Sequence, residues 1–372
     1  MWKMAIQFLR FDKAKTAGAL AGIMICVYLI GQQLGIFGFV MSSIASLLRD
    51  NMNYIWVVHE NSLGANELQA MDIRVEQNVQ SIPGVKATHP IVVAGAPALF
   101  ASGSKVSVQL LGAEEPYYTG LPIRYAKDNF QALQTEEGIY VDYYDRKFLG
   151  NPNIGDIIEI NKKQAKIVGY TEGARGFALA FGFTTLSRAR YYANLPSYQI
   201  SALLVEVEES AQINFIQAVN QYIPDTWAYS ASDFKTMTIM RILKNTGIGF
   251  SFLALIIFAV ASGLVIVGLT LYSAANDRIK DYGTLKAMGA TSAYLRRLVF
   301  AQAFLLALIG FVLAYCLLNG FRLLMKNTGT IIHIDLWLVG ILFITPLFIS
   351  FVGSFFALRR IERLAPADIF KM

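Results

Sequence analysis

Four long apolar runs divide the chain, roughly Ala17 to Val40, Gly247 to Ala274, Leu298 to Gly320 and Leu336 to Leu358. Each supplies the ~20 mostly apolar residues that a helix needs to cross a bilayer, where backbone N–H and C=O groups must be satisfied within the segment. The pattern predicts transmembrane helices over 17–40, 247–274, 298–320 and 336–358, with polar intervals at 1–16, 275–297, 321–335 and 359–372 and one long interval at 42–246. Before the first run, Trp2, Ile6, Leu9 and Lys13 recur at helical spacing, and Ala5 and Phe8 widen the apolar stripe. That spacing predicts an amphipathic helix lying along the membrane surface. A cleavable signal has a shorter apolar core of about 7–15 residues. Ser43-Ile-Ala45 is a weak cut site, so an uncleaved signal-anchor is expected.

The long interval mixes two periodicities. Tyr54 to Val58, Thr88 to Phe100 and Val106 to Gly112 read as strands, and Leu68 to Ile82 as an amphipathic helix stopped by Pro83-Gly84. A second strand–helix–strand unit follows: Ala202 to Val207, a helix from Ser210 to Ile223 with Ser210 as its expected N-cap, and Trp227 to Ser230. Between the two units, Ile157 to Ile160 and Ala165 to Tyr170 are short strands bounded by Asn151-Pro-Asn and Asn161-Lys-Lys turns. The expected fold class is an integral membrane α-helical protein with four transmembrane helices. A large extracytoplasmic α+β domain of split β-α-β units lies between the first two, with a mostly β insertion at about 114–186.

Composition agrees with that class. The 372 residues are 55 % hydrophobic and only 16 % charged, with a mean hydropathy of +0.45, which is too apolar for a soluble enzyme of this length. Residues 1–16 hold four basic and one acidic side chain, 275–297 five and two, and 359–372 four and two, whereas 42–246 holds 17 basic and 20 acidic. Short cytoplasmic segments retain Lys and Arg, so both termini and the 275–297 loop are expected in the cytosol, with the large domain periplasmic. The net charge of +6 then reflects topology and an anionic inner leaflet, and no nucleic-acid partner is implied.

Candidate chemistry is sparse. Cys26 and Cys316 both fall in predicted spans, and His59, His89 and His333 show no ligand spacing, so no metal site is expected. No Gly-x-x-x-x-Gly-Lys-Ser/Thr loop, Gly-x-Ser-x-Gly elbow or His-Glu-x-x-His pair occurs in the sequence. Glu114-Glu115 and Glu208-Glu209 are sequence neighbours, not facing pairs. No catalytic residues are therefore assigned. The cores of the spans carry no Asp, Glu, Lys or Arg, and only Gln32, Gln33 and Pro346 interrupt them, a poor lining for a polar pathway. In the first span Gly18 and Gly22, then Gly31 and Gly35, are spaced four apart, which favours close packing of another helix, either in this chain or in a second copy.

The 277–291 loop is the most informative segment. Arg278 to Met288 contains good helix formers, Gly289 supplies a stop, and Thr291 or Ser292 can cap the next helix. A short helix at the membrane boundary follows. The wording Asp281-Tyr-Gly-Thr-Leu-Lys-Ala-Met-Gly289 resembles the segment after the second span in permeases of the FtsX/MacB superfamily of ABC systems, whose pattern is close to Glu-Arg-x-x-Glu-Ile-Gly-x-Leu-Lys-Ala-Leu-Gly-Ala-Ser. Together with the ending Leu364-Ala-Pro-Ala-Asp-Ile-Phe370, it looks most like the DevC branch of heterocyst-type glycolipid exporters. The order of one span, a large external domain and three spans is also similar.

That resemblance implies an ATPase-coupling element formed by Asp277, Arg278, Asp281, Tyr282, Leu285, Lys286, Ala287, Met288 and Gly289. It also implies a non-catalytic permease subunit in a bacterial inner membrane, with ATP and Mg bound by a separate ABC ATPase subunit and no cofactor on this chain. Further implied partners are a second permease copy forming a homodimer, a periplasmic membrane-fusion adaptor and an outer-membrane TolC-like tunnel. The work implied is mechanotransmission for efflux. The alternative is an FtsX-like transmembrane regulator that controls a periplasmic hydrolase or sensor and moves no cargo; a membrane-bound enzyme with an unmotifed external site is a third reading. Glycolipid, lipoprotein, peptide and amphipathic drug all fit as cargo.

Overall fold

The computed structural model describes residues 2–11, 13–100, 103, 105–128, 130–134, 138–177, 179–326 and 328–362. Two compact units result, Val40–Ile248 and the combined segments Met1–Phe39 and Gly249–Met372. In chain order the helices and strands are α1 (Trp2–Phe11), α2 (Lys13–Ile44), α3 (Ser46–Arg49), β1 (Ile55–His59), β2 (Met71–Asp72), α4 (Val75–Gln80), β3 (Val85–Leu99), β4 (Lys105–Ala113) and β5 (Gly138–Asp142). There follow β6 (Ile157–Ile160), β7 (Lys163–Thr171), β8 (Ala180–Thr185), α5 (Leu186–Ala193), β9 (Gln199–Ile200), β10 (Ala202–Val207), α6 (Gln212–Tyr222) and β11 (Thr226–Ser230). The chain continues through α7 (Ala231–Thr246), α8 (Ile248–Asp277), α9 (Ile279–Ala287), α10 (Ser292–Lys326) and α11 (Leu336–Glu362). The segment Leu364 to Phe370 lies outside the described residues.

Four helices are long and apolar enough to cross a membrane: Lys13–Ile44, Ile248–Asp277, Ser292–Lys326 and Leu336–Phe355. They overrun the apolar runs because hydropathy marks only the length in lipid. The 35 residues of α10 extend about 52 Å at ~1.5 Å per residue, against a hydrocarbon core of ~30 Å. Their shared core is built from Ile23, Val27, Val267, Leu298, Leu318, Leu342 and Ile349, all 3 % exposed or less. Both cysteines are unpaired thiols within spans. Pro346 lies inside α11.

The other unit is organised around β3. Strand order β11-β1-β10-β3 is antiparallel throughout, so β1 and β3 run parallel with β10 between them, and β10 and β11 run parallel with β1 between them. These are two interleaved split β-α-β units, the ferredoxin-like arrangement. Alternation along the strands separates two faces. Ile55 and Val57 join Val79, Phe215 and Val219 under the helices α4 and α6, whereas Trp56 and Val58 join Leu48 and Phe234 on the opposite face.

The second half of β3 leaves that sheet and enters a barrel. Ile91 to Leu99 pair with β4, the order continues β4-β8-β5-β7-β6, and Ala98 and Leu99 pair with Ile160 and Glu159 of β6 to close the ring. The barrel interior holds Leu110, Ile139, Val141, Ile158, Ile160 and Ile167, each no more than 2 % exposed. The β insertion is thus not free-standing, since β3 and β4 supply two of its staves.

Two local expectations differ. The helix expected over 68–82 shrinks to Val75–Gln80. Met71 and Asp72 pair instead with Ile200 and Gln199, and the Asp72 carboxylate accepts the Arg74 N–H at 2.8 Å, fixing a turn just before the helix. Ser210 does not cap α6. It sits within a 3-10 turn over Glu209–Ala211, and Ala211 occupies the N-cap position without a side-chain bond.

Candidate functional site

The candidate site is α9 and the residues that hold it. Its nine residues carry Asp281 in the first turn and Lys286 in the last, each with the sign that complements the helix dipole. Beyond the last turn, Gly289 adopts φ +97°, and the Ala290 N–H reaches the Leu285 carbonyl at 2.9 Å, a Schellman-type ending that favours glycine. Thr291 Oγ1 then accepts the Tyr294 N–H at 3.3 Å and starts α10. The sequence Met-Gly-Ala-Thr therefore encodes a stop, a reversal and a new start within four residues.

The inner side of α9 is fastened to α1 and α10. Tyr282 is 2 % exposed, its ring centroid lies 5.6 Å from that of Phe8, and its hydroxyl is hydrogen-bonded to Gln302; burial pushes this phenol above its ordinary pKa. The Arg278 guanidinium carbon stands 4.6 Å from the Phe8 centroid and 4.9 Å from that of Phe11, a double cation–π contact. Lys15 and Asp277 form an ion pair. On α10, the Tyr294 hydroxyl donates to Met4 Sδ at 3.6 Å, and Trp2 meets Phe304 edge to face. The amphipathic stripe of α1 thus packs within its own unit.

The outer side is different. Met288 is 72 % exposed, Asp281, Ala287 and Gly289 are also exposed, and Leu285 and Lys286 are half-buried. The nine residues singled out from sequence therefore gather on one element but divide in two. Tyr282 and Arg278 face inward and fasten the helix, while Met288 and its neighbours face outward. Asp277 is exposed yet paired with Lys15. Gln302 escaped the sequence reading. A lone glutamine at the edge of an apolar run carries little signal until Tyr282 is seen against it.

The glycines of the first span also divide. A Cβ at Gly22 would stand 2.5 Å from Ile266 Cγ2, one at Gly31 2.8 Å from Leu318 Cδ2, and one at Gly35 2.7 Å from Ile332 Cγ2, whereas one at Gly18 would meet nothing within 4 Å. Three of the four approach other segments of the same chain.

In the extramembrane unit a pair of acidic residues secures the segment after β7. Asp142, fully buried, accepts from Thr171 Oγ1 at 2.9 Å and from the backbone N–H groups of Gly173 and Ala174 at 2.7 and 2.8 Å. Asp145 accepts from Arg175 Nε at 2.7 Å. Burial nevertheless pushes the Asp145 carboxyl up to about 6, with Arg175 opposing and Asp142 adding to the shift. Among the described residues no group of three or more His, Cys, Asp and Glu is arranged to hold a metal ion.

A membrane unit of four spanning helices, interrupted after the first by an extracellular α+β domain and bearing a short helix between the second and third, defines a class of membrane subunit rather than a soluble catalyst. Residues 16–222 match the family of the MacB-like periplasmic core domain, and residues 252–366 match the C-terminal region of the FtsX-like permeases. The chain belongs to the FtsX/MacB superfamily and is an ABC-type permease subunit. Membership implies an ABC ATPase partner, and subunits of these families are generally transmembrane and carry no catalytic activity of their own. Among solved structures, the periplasmic region of MacB from Actinobacillus actinomycetemcomitans is 13 % identical, with a TM-score of 0.37 over 50 % of this chain and 92 % of that one. The extracellular domain of the ABC-type transporter YknZ from Gram-positive bacteria is also 13 % identical, with a TM-score of 0.35 over 48 % of this chain and 100 % of that one. A comparison with curated proteins gives no match.

Proposed function

We propose that this chain is the permease of an ATP-driven exporter, of the DevC type, in the inner membrane of a bacterium. Both termini and α9 face the cytosol, and the large domain faces the periplasm. ATP and Mg are held by the partner ATPase, and this chain needs no cofactor of its own. Two permease copies form a homodimer that the ATPase closes at α9. The long helices carry that movement across the membrane, and the extracellular domain passes cargo from the periplasm or outer leaflet to a membrane-fusion adaptor and a TolC-like tunnel.

The observation that carries this reading is the two-sidedness of α9. Its inner side is locked by Arg278 and Tyr282, and its outer end presents Met288, 72 % exposed. A helix held this firmly moves its neighbours when something pushes on it. The absence of charged residues from the span cores fits a cargo route that does not run through them.

The test is co-purification with an ABC ATPase and a membrane-fusion adaptor from the same organism. Cysteine placed at Met288 should crosslink to the ATPase, and adaptor plus cargo should stimulate ATP hydrolysis. An ATPase that co-purifies but never crosslinks at Met288 would remove α9 from the interface. A complex with a hydrolase or sensor in place of an adaptor would turn the reading to the regulatory alternative.

A further inference from the structure

The packing of α1 against α9 and α10 leaves its other half uncovered. At ~100° per residue, Met4, Ala5, Phe8 and Leu9 fill one half of the helix circumference, and all four are buried or half-buried. Around the other half follow Trp2, Ile6, Arg10, Lys3, Gln7 and Phe11 in that order, and all six are exposed. The uncovered half thus has apolar flanks and a cationic middle, and α1 carries no acidic residue.

One flank borders lipid. The ring centroids of Trp2 and Phe304 are 6.0 Å apart, and Phe304 lies in the spanning helix α10, where it and Leu308, one turn on, are 42 % and 39 % exposed. Apolar side chains exposed on a spanning helix face acyl chains. Trp2, itself still 50 % exposed, and Ile6 beside it continue that surface to the interface, where an indole is favoured. Arg10 and Lys3 come next round the helix, and long basic side chains there reach headgroups. Arg297, exposed and seven residues before Phe304 on the same face of α10, adds a cation about two turns nearer to α9. Among the described residues none of these three is held in an ion pair. Unpaired cations beside an apolar edge complement anionic headgroups, each contributing about fivefold near such a surface. An acidic protein would use the cations but not Trp2 and Ile6, whose flank is continuous with the lipid-facing surface of α10.

We infer that the uncovered half of α1 is a binding surface for anionic phospholipid, and that lipid charge acts through it on α9. The link is the opposite half of the same helix, where Phe8 packs on Arg278 and Tyr282 and Met4 accepts from Tyr294. A lipid that holds α1 in place holds α9 with it. The surface is separate from the outward end of α9 at Met288, and it does not rest on the exporter reading.

The experiment uses the full chain in nanodiscs of mixed phosphatidylglycerol and phosphatidylcholine, doped with a photoactivatable form of one lipid or the other, and maps the crosslinks by mass spectrometry. Residues 2–11 should take roughly tenfold more label, or better, from phosphatidylglycerol. Lys3→Gln, Arg10→Gln and Arg297→Gln combined should abolish that preference without lowering thermal stability, whereas Lys3→Arg with Arg10→Lys should keep it. Hydrogen exchange of residues 279–287 should be severalfold slower with phosphatidylglycerol than in phosphatidylcholine alone, and equal in both for the triple variant. Equal labelling by the two lipids, or a preference that survives the triple variant, would overturn the surface. Exchange at 279–287 that ignores lipid charge would overturn its action on α9. Loss of ATPase co-purification by the triple variant in lipid-free detergent would give the cations to a protein partner and overturn the lipid assignment.

Discussion

The guanidinium of Arg278 and the ring of Phe8, 270 positions apart in sequence, lie 4.6 Å from one another, and through them the N-terminal helix and α9 become one body. A half-buried cation–π contact is worth about 0.5–2 kcal/mol. Phe8→Ala should therefore leave the protein in the membrane but loosen α9. Hydrogen exchange of residues 279–287 should rise roughly tenfold, with little change at β1 or β10.

Gly289 has open space around it, since a Cβ there would meet nothing within 4 Å, but its φ of +97° is one that L side chains rarely adopt. Gly289→Val should cost about 1–3 kcal/mol through backbone strain alone. Partner-stimulated ATP hydrolysis should fall severalfold while membrane insertion, read by protease accessibility, is unaffected. Lys286→Glu reverses the charge that complements the dipole at the last turn of α9, and it should weaken ATPase co-purification while lowering stability by only about 1 kcal/mol.

Gly22 and Gly18 share a spacing but not a fate. Gly22→Leu drives a side chain into Ile266 and should lower stability by about 1–3 kcal/mol. A Cβ at Gly18 would meet nothing within 4 Å in the chain, so Gly18→Leu should be close to neutral in thermal unfolding of the isolated permease. A loss of dimer in Gly18→Leu, measured by light scattering in detergent, would assign that face to the second copy.

Asp145 titrates near pH 6 in the folded protein against an ordinary value of 3.8. Its folded pKa is raised, so its contribution to stability is complete below pH 4 and is lost as pH rises through about 6. The displacement corresponds to about 3 kcal/mol across that window. Thermal unfolding should therefore rise on acidification from pH 7 to 5 by less in Asp145→Asn than in the unsubstituted chain.

Much of this architecture is legible in the residues because membrane and strand physics act locally. Ala202 to Val207 reads as a strand from six residues, and it is one over those same bounds. The four spans follow from length and apolarity alone. What fails is whatever depends on distant partners. The helix from Leu68 is cut short by a strand pair with residues 199–200, and nothing near Met71 announces it. The closure of β3 on β6 joins Ala98 to Ile160, beyond any local periodicity. At the candidate site the segment is visible in sequence, but its division is not. Tyr282 looks like a surface residue of a charged helix until Phe8 and Gln302 cover it.

The fifteen residues of β3 belong to two hydrogen-bonded systems at once, the four-stranded sheet at one end and the closed ring at the other. At ~3.3 Å per residue that strand is a beam about 50 Å long, laddered to β10 over its first half and to β4 over its second. Force entering at Val85 passes from one ladder to the other at Ile91, which pairs with both β10 and β4, so unfolding either half unpairs the strand that the other half needs. Calorimetry of the extracellular domain should record one melting event, not two.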